Sequence, residues 1–256
     1  PNPASNTKIV WWNSSPGDLK MNKALRNSSA LSPVRAQSAI PVPVLADRST
    51  VKDKFEVPGI PAYLQDTYYW AYLNPRNVQL LDRELVIKVI LWGQHRRLRQ
   101  HAFSEIVPGQ SVLQPAHVYG EFSPTLANHL GPNGRLDVID IAPIQVSHCR
   151  RKLEPYPQAT VRCANAAHPS GYAYDAVCCY FLLHELPDDY KHAVVDTLLE
   201  NVLPGGKVIF VDYHKPHWAH PLKPITSLVF DTLEPFAMGL WRNEIDRFAA
   251  NAEQFN

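Results

Sequence analysis

The 256-residue sequence has no apolar run long enough to cross a bilayer, no excess of charge and few cysteines. A membrane-spanning helix needs about 18 or more apolar residues, so any membrane contact is expected to be peripheral. The 25 basic and 24 acidic side chains nearly cancel, which argues against nucleic acid and favours a small partner. The four cysteines form no Cys-x-x-Cys pair, and we expect them to be reduced thiols.

Acidic residues are scarce near the N-terminus, where Asp18 is the only one before position 47. This basic, poorly periodic composition predicts an arm over 1–56 that is either disordered or a targeting sequence, such as the remains of an organellar transit peptide. Residues 57–256 are expected to form one domain that begins with a helical cap over 57–105.

Two apolar segments flank the predicted core. The cap opens with an aromatic run over 63–72 and continues with apolar residues at helical spacing, followed by arginines where a helix C-terminus is expected. The apolar positions are Leu81, Leu85, Val89 and Trp92, and the arginines are Arg96, Arg97 and Arg99. A second apolar stripe over 222–241 is either core or, with 63–72, the wall of a pocket for an isoprenoid.

Beyond Gly109, short β-like runs alternate with stretches long enough for crossover helices. The alternation predicts an α/β fold, with a mainly parallel sheet and helices on both faces. In such a sheet, ligands bind at the carboxyl ends of the strands. The predicted strands are 111–114, 135–141, 160–164, 174–180 and 207–213.

Glycines are missing where a nucleotide-binding fold needs them, in the turn after the first strand. Only Gly120 is present over 114–120, and Gln114 stands where an acid is expected. Asp140, which ends the second strand, is predicted to accept hydrogen bonds from ribose hydroxyls, or alternatively to cap the next helix. Asn165, after the third strand, is either an adenine contact or an ordinary loop residue.

Further polar side chains follow the fourth and fifth strands. Tyr180 and His184 come at the end of the fourth strand, and His184 is either an active-site group or a structural histidine. Asp212, His214 and His217 follow the fifth strand. Carboxylate and imidazole suit divalent manganese, iron or zinc, and a neutral histidine can act as a general base; the alternative is a set of surface histidines.

Together these features resemble the class I S-adenosylmethionine-dependent methyltransferases over about 100–215. Several runs resemble more narrowly the rhodoquinone-biosynthesis (RquA) family, over about 60–245. Those runs are 66–76, 114–120, 140–146, 179–190 and 212–217. The sequence departs from the family pattern at Asn165, where an acid is usual.

The resemblance implies a Rossmann-like class I methyltransferase fold and an unusual reaction. A ring methoxy group of ubiquinone is replaced by an amino group, with S-adenosylmethionine as amino donor and a divalent metal, manganese. It also implies peripheral contact with the mitochondrial inner membrane in a eukaryote, or with the cytoplasmic face of the bacterial inner membrane. Two alternatives stay open: a conventional quinone or phenol methyltransferase, and a non-catalytic quinone-binding scaffold.

Position along the strands then assigns roles to individual residues. The predicted cofactor-binding residues are Gln114, His117, Tyr119, Gly120, Asp140, Ile141, Asn165, Ala166 and Tyr180. The predicted catalytic residues are His184, Asp212, His214 and Tyr69. The predicted metal ligands are Asp212, His214 and His217.

Overall fold

The computed structural model describes residues 8–13, 59–91, 93–213 and 235–250. Six strands form one sheet in which every neighbouring pair is parallel. They are β1 (Lys8–Asn13), β2 (Ser111–Gln114), β3 (Arg135–Asp140), β4 (Ala159–Cys163), β5 (Tyr174–Tyr180) and β6 (Val202–Asp212). Their order across the sheet is β1-β6-β5-β2-β3-β4.

This strand order identifies the fold. Counted from β2, the strands lie in the order third, second, first, fourth, fifth, as in the doubly wound nucleotide-binding sheets. The order reverses between β2 and β5, and the crevice above this switch point is where such folds bind ligands. The predicted Rossmann-like class I methyltransferase fold is confirmed.

Helices cover both faces of the sheet. On one face α4 (His95–Ser104), α5 (Phe122–Leu130) and α6 (Pro143–Leu153) bury apolar side chains against the strands. On the other face α7 (Asp188–Glu200) does the same, together with α8 (Met238–Arg242). Because both faces are buried, the central strands read as continuous apolar runs rather than as alternating ones.

The predicted cap contains helices throughout, but they are short. They are α1 (Ala62–Tyr68), a π-helical turn (Tyr69–Leu73), α2 (Pro75–Leu81) and α3 (Glu84–Ile90), followed by α4. The prediction of a single helix from Val78 that ends in arginines is wrong, because turns interrupt it after Leu81 and after Ile90. Arg96 and Arg97 therefore lie in the first turn of α4 rather than at a helix C-terminus.

Two strands differ from the predictions. The sequence Pro204-Gly-Gly predicted a tight turn before the last strand, but β6 already begins at Val202. The three residues form an irregularity inside the strand, where the pairing with β5 shifts register. Gly205 has a φ of +82° there.

β1 lies within the arm that was predicted to be disordered or a targeting sequence. The run Ile-Val-Trp-Trp favours an extended backbone, and this backbone pairs with β6.

Among the described residues, the helices are all too short or too polar to cross a bilayer. Cys149, Cys163, Cys178 and Cys179 are free thiols. Most of the apolar stripe at 222–241 lies outside the described residues; Phe236 and Leu240 are described, and Leu240 is buried against the α7 face of the sheet.

Candidate active site

Two adjoining cavities open at the carboxyl edge of the sheet, beside the switch point. One cavity, about 950 Å³ including its open mouth, lies between the cap and the ends of β5 and β6, and it is named the substrate cavity after the role proposed for it. The cofactor cavity, about 660 Å³, lies over the ends of β2, β3 and β4. Four residues line both: Tyr72, His117, Phe181 and Glu185. Molecules in the two cavities would therefore meet at a shared wall.

Asp140 forms the polar centre of the cofactor cavity. Its Oδ2 accepts a hydrogen bond from the main-chain N–H of His117 at 2.9 Å, and its Oδ1 accepts one from Ala142 at 2.8 Å. Each carboxylate oxygen can accept a further bond. The predicted cofactor residues that line this cavity are His117, Asp140, Ile141, Asn165 and Ala166.

Asn165 lies at the far end of the cofactor cavity. Its Oδ1 accepts a hydrogen bond from the main-chain N–H of Ala167 at 2.9 Å, which closes a local turn. Such turns are the usual role of a loop asparagine. Because the side chain also lines the cavity, its contact with an adenine edge stays a prediction.

Gln114 does not contact either cavity, and its assignment to the cofactor is corrected. It is fully buried, and its Nε2 donates to the main-chain oxygen of Ala116 at 2.6 Å and to Ser123 Oγ at 2.9 Å. These bonds tie the loop after β2 to the start of α5. Gln114 therefore shapes the loop that carries His117 instead of touching a ligand.

Gly120 also has a different role from the predicted one. Its φ is +74°, its N–H donates to Asp82 Oδ1 at 2.7 Å, and it lines neither cavity. A Cβ at this position would lie 3.2 Å from Glu84 Oε2 and 3.3 Å from Ile87 Cγ1. The glycine is needed because the cap approaches the loop closely, not because a ligand does.

Tyr119 and Tyr180, predicted to bind the cofactor, line the substrate cavity instead. Tyr119 donates its hydroxyl proton to the main-chain oxygen of Ala71 at 2.7 Å, and its oxygen accepts from Gln145 Nε2 at 2.8 Å. The Tyr180 ring lies 4.1 Å from that of Phe122. Burial raises the pKa of both phenols above the usual range, so both stay protonated.

The substrate cavity is mainly apolar and aromatic. The cap contributes one wall and the strand ends contribute the other, so the cavity depends on how the cap docks onto the sheet. The apolar and aromatic residues of the lining include Trp70, Tyr72, Leu81, Ile87, Ile90, Leu91, Val118, Phe122, Phe181 and Tyr213. A flat aromatic ring with an apolar substituent fits such a lining.

His184 and Asp212 form a buried pair at the inner end of the substrate cavity. His184 Nδ1 lies 2.9 Å from Asp212 Oδ1, and Asp212 Oδ2 accepts from the main-chain N–H groups of Leu183 and His184 at 2.8 and 3.3 Å. A carboxylate that holds one ring nitrogen fixes the tautomer and orientation of an imidazole. His184 also lines the substrate cavity.

Tyr72 and Glu185 join this pair and were not predicted from the sequence. The Tyr72 hydroxyl donates a short hydrogen bond to Glu185 Oε1, which lies 3.8 Å from His184 Nε2. A chain of titratable groups therefore runs from Asp212 through His184 to the wall between the cavities. Glu185 directly follows His184 in the sequence, but Tyr72 is brought in by the cap from 113 positions away.

Phe181 stands in the shared wall with an unusual backbone. Its φ of 51° is the only positive value among the described residues other than glycine. Its N–H donates to the main-chain oxygen of Val211 at 2.7 Å, which holds it in this conformation. Strained conformations of bulky residues persist where the surrounding structure enforces them, often at ligand sites.

One predicted metal ligand, Asp212, and one predicted catalytic residue, Tyr69, need correction. Asp212 does not fit a metal ligand, because its Oδ1 also accepts from the N–H of Tyr213 at 2.7 Å, so both oxygens are engaged by protein donors. His214 and His217 lie outside the described residues. Tyr69 is 54% exposed and lines neither cavity, whereas its neighbours Trp70 and Tyr72 in the same π-helical turn line the substrate cavity.

Comparisons with known proteins find similarity to methyltransferases. A model of a methyltransferase domain matches residues 112–206. The demethylmenaquinone methyltransferase of Bacillus cytotoxicus is 26% identical over 139 residues, which are 52% of this chain and 58% of that protein. The chain therefore spans little more than half the length of that curated relative.

Two solved structures are also similar. The N-methyltransferase NodS from Bradyrhizobium japonicum, in complex with S-adenosylhomocysteine, has 18% identity and a TM-score of 0.45, over 58% of this chain and 72% of its own. The magnesium protoporphyrin IX methyltransferase of Synechocystis, with bound S-adenosylmethionine, has 18% identity and a TM-score of 0.45, over 57% and 74%. The strand order is that of the Rossmann-like class I methyltransferase fold, and the match to the methyltransferase-domain model is confined to the stretch from the start of β2 into β6.

Proposed function

We propose that the protein is an S-adenosylmethionine-dependent transferase that modifies the ring of a lipid quinone or quinol. The observation that carries the proposal is the His184–Asp212 pair, which lies in an apolar cavity that shares a wall with the cofactor cavity. The cofactor supplies a transferable group when bound. The chain supplies the acceptor cavity and a base beside it.

Methyl transfer to the quinol ring is the reaction that the comparisons support better. The curated relative is named for a quinone methyltransferase. In this reaction a bond forms between a ring atom and the methyl carbon, and the bond from that carbon to sulfur breaks with its electron pair going to sulfur. His184 would take the proton that the ring position loses, while Asp212 stabilises the imidazolium.

Amination of ubiquinone, the reaction of the family that the sequence resembles, is the second candidate. The observation that favours it is the loop after β2, where His117 and Val118 place side chains against the substrate cavity. Glycines at these positions would leave that space open to the methionine end of the cofactor. A loop that carries side chains instead of glycines would hold the cofactor's amino group in a different position, which is consistent with amination.

Product mass separates the two reactions. The full chain is incubated with S-adenosylmethionine and either ubiquinone or a demethylated quinol, with and without manganese. Methyl transfer raises the mass of the quinol and leaves ubiquinone unchanged, whereas exchange of methoxy for amino lowers the mass of ubiquinone. If neither the oxidised ubiquinone nor the reduced demethylated quinol changes in mass, the proposed transferase activity is contradicted.

A non-catalytic quinone-binding scaffold is the remaining alternative, and cofactor binding tests it. Burial raises the pKa of Asp140 to about 6, against the opposing effect of its backbone hydrogen bonds. Only the ionised carboxylate can accept from both ribose hydroxyls. Affinity for S-adenosylhomocysteine should therefore be constant well above this pKa and fall about tenfold per pH unit below it.

Isothermal titration calorimetry from about pH 5 to about pH 8 measures this dependence. The matched controls are Asp140→Asn, which should bind weakly at every pH, and Asp140→Ala, which should not bind. Absence of heat with the unaltered chain would favour the scaffold. Binding that stays equally tight at the acidic end would show that Asp140 does not contact the ribose.

The cap also carries the features expected for access to a lipid substrate. One face of α3 lines the substrate cavity, while Leu85 and Val89 on its other face are 70% and 69% exposed. Exposed basic residues lie nearby in the chain, namely Lys88, Arg96 and Arg97. Apolar side chains with cations beside them suit an anionic lipid surface. We therefore propose peripheral attachment to a mitochondrial or bacterial inner membrane.

Vesicle binding checks this attachment. The full chain should bind vesicles that contain phosphatidylglycerol, and Leu85→Gln with Val89→Gln should weaken binding by more than about tenfold, because each apolar side chain is worth about 1.5–3 kcal/mol when buried. Val107→Gln is the matched control, since Val107 is 57% exposed but precedes β2 at the opposite edge of the sheet. Equal binding by both variants would place the contact elsewhere.

A further inference from the structure

Three potential metal ligands meet at the loop that follows β2. Asp82 lies between α2 and α3, His117 lies in the loop, and His148 lies on α6. One ligand atom from each lies within 4.8 Å of the others. The cluster therefore joins the cap, the loop that contacts Asp140 and the core, and it is separate from the His184–Asp212 pair.

His117 has no evident structural reason to be a histidine. Its side chain is 8% exposed, and both ring nitrogens are buried without a hydrogen-bond partner among the described residues. A buried polar atom left unpaired costs about 1–3 kcal/mol. Burial lowers the pKa of His117 to about 3, so the ring is neutral and offers a nitrogen lone pair to a ligand.

We propose that Asp82, His117 and His148 bind a divalent cation of the borderline class, such as Zn²⁺. Two imidazoles and one carboxylate form a common ligand set for such ions, with further positions open to water. Ligand atoms on a tetrahedral zinc lie about 3.3 Å apart, since each bond is about 2.0–2.1 Å. His148 Nε2 and Asp82 Oδ2 are already 2.9 Å apart, and the ligand atom of His117, within 4.8 Å of both, has to move closer to reach this geometry. The inference does not depend on the proposed quinone chemistry.

The neighbouring cations set the strength of this site. Arg151 Nη2 lies 2.8 Å from His148 Nδ1, and a guanidinium can only donate, so Nδ1 accepts and Nε2 carries the proton facing Asp82 Oδ2 at 2.9 Å. A metal on Nε2 requires that proton to move to Nδ1, which ends the Arg151 contact. Lys152, 2.8 Å from Asp82 Oδ1, adds a positive charge that opposes the ion.

Two consequences follow for a bound ion. Asp82 Oδ1 keeps its bonds to Lys152 and to the N–H of Gly120, so Oδ2 is the oxygen that faces the cation. The ion would connect the cap to α6 through side chains and would hold His117, whose main-chain N–H bonds Asp140. Metal binding should therefore raise the melting temperature and tighten the cofactor loop.

Direct metal binding by the full chain tests the proposal. Zn²⁺ is titrated in competition with a chelating dye, and Co²⁺ reports nitrogen coordination through its visible absorbance. The unaltered chain should bind one ion, with a rise in melting temperature that a chelator reverses. His117→Phe and His148→Gln should each weaken binding by more than about tenfold, whereas Arg151→Leu should tighten it severalfold.

Control variants keep the outcome interpretable. His129→Gln changes a histidine on α5 whose Nε2 lies 2.8 Å from the main-chain oxygen of Ile106, and it should bind like the unaltered chain. Thermal unfolding without metal shows whether each variant folds. Absence of one-to-one binding overturns the proposal, as does loss of binding in His214→Gln with His217→Gln but not in His117→Phe.

Discussion

The His184→Asn protein is expected to turn over its quinol substrate about 100- to 10,000-fold more slowly than the unaltered protein. The asparagine Nδ2 group can replace His184 Nδ1 as the donor to Asp212 Oδ1, a contact of 2.9 Å. The carboxylate thus keeps its partner, and the fold loses little. What is removed is the second ring nitrogen, which takes the substrate proton in the proposed reaction.

Cofactor affinity distinguishes a base from a structural histidine. S-adenosylhomocysteine should bind the His184→Asn protein as tightly as the unaltered one, because His184 does not line the cofactor cavity. The measurement is a steady-state rate at saturating cofactor, with calorimetry on the same samples. An equal loss of cofactor affinity and rate would mean that His184 only supports the fold, and an unchanged rate would remove it from the mechanism.

Replacement of Asp137 by alanine should lower the free energy of unfolding by about 1–3 kcal/mol, because it removes a buried carboxylate and leaves a buried hydroxyl unpaired. Asp137 is fully buried in β3, and its oxygens accept from Arg135 Nη2 at 2.8 Å, Thr160 Oγ1 at 2.6 Å and the Tyr174 hydroxyl at 2.8 Å. Without the carboxylate, the buried Tyr174 hydroxyl loses its acceptor. Urea unfolding measures the change.

Acid should reduce the difference in unfolding free energy between the unaltered protein and Asp137→Ala, because the pKa of Asp137 is lower in the folded state. Burial alone would raise the pKa of Asp137, but the hydrogen bonds from Arg135, Thr160 and Tyr174 hold it below the usual value. The stabilisation is therefore complete above the unfolded pKa of about 4 and is lost as the pH falls through the lower folded value. Glu154→Ala, an exposed change in the turn directly after α6, should alter stability by about 0.5 kcal/mol at most.

The core strands were predictable because a sheet covered on both faces leaves a strong local signal. Four of the five predicted strands agree with β2, β3, β4 and β5 to within one residue at each end. The start of β6 was missed, since Gly205 and Gly206 read as a turn. Gly206 nevertheless lies inside the strand. Glycine is needed there because a Cβ would come within 2.6 Å of the main-chain oxygen of Asp175.

The site was predictable only where it follows a strand end. Asp140, Asn165 and His184 line the two cavities as expected, because the carboxyl ends of parallel strands meet at one edge; their roles stay predictions. Tyr72 was not found, because cap docking rather than spacing along the chain brings it to Glu185. The roles of Gln114 and Gly120 were mistaken for the same reason: their partners lie in α5 and in the cap.

The pairing of β1 with β6 limits how the N-terminal arm can be processed. Six residues of the arm, Lys8–Asn13, are in parallel register with Lys207–Asp212, so they shield one margin of the sheet. A cleavage after Asn13 would leave the longest strand with an open row of amide and carbonyl groups, the kind of surface that recruits other chains. If the arm contains a targeting sequence that is removed, only a cleavage before Lys8 would leave this pairing intact.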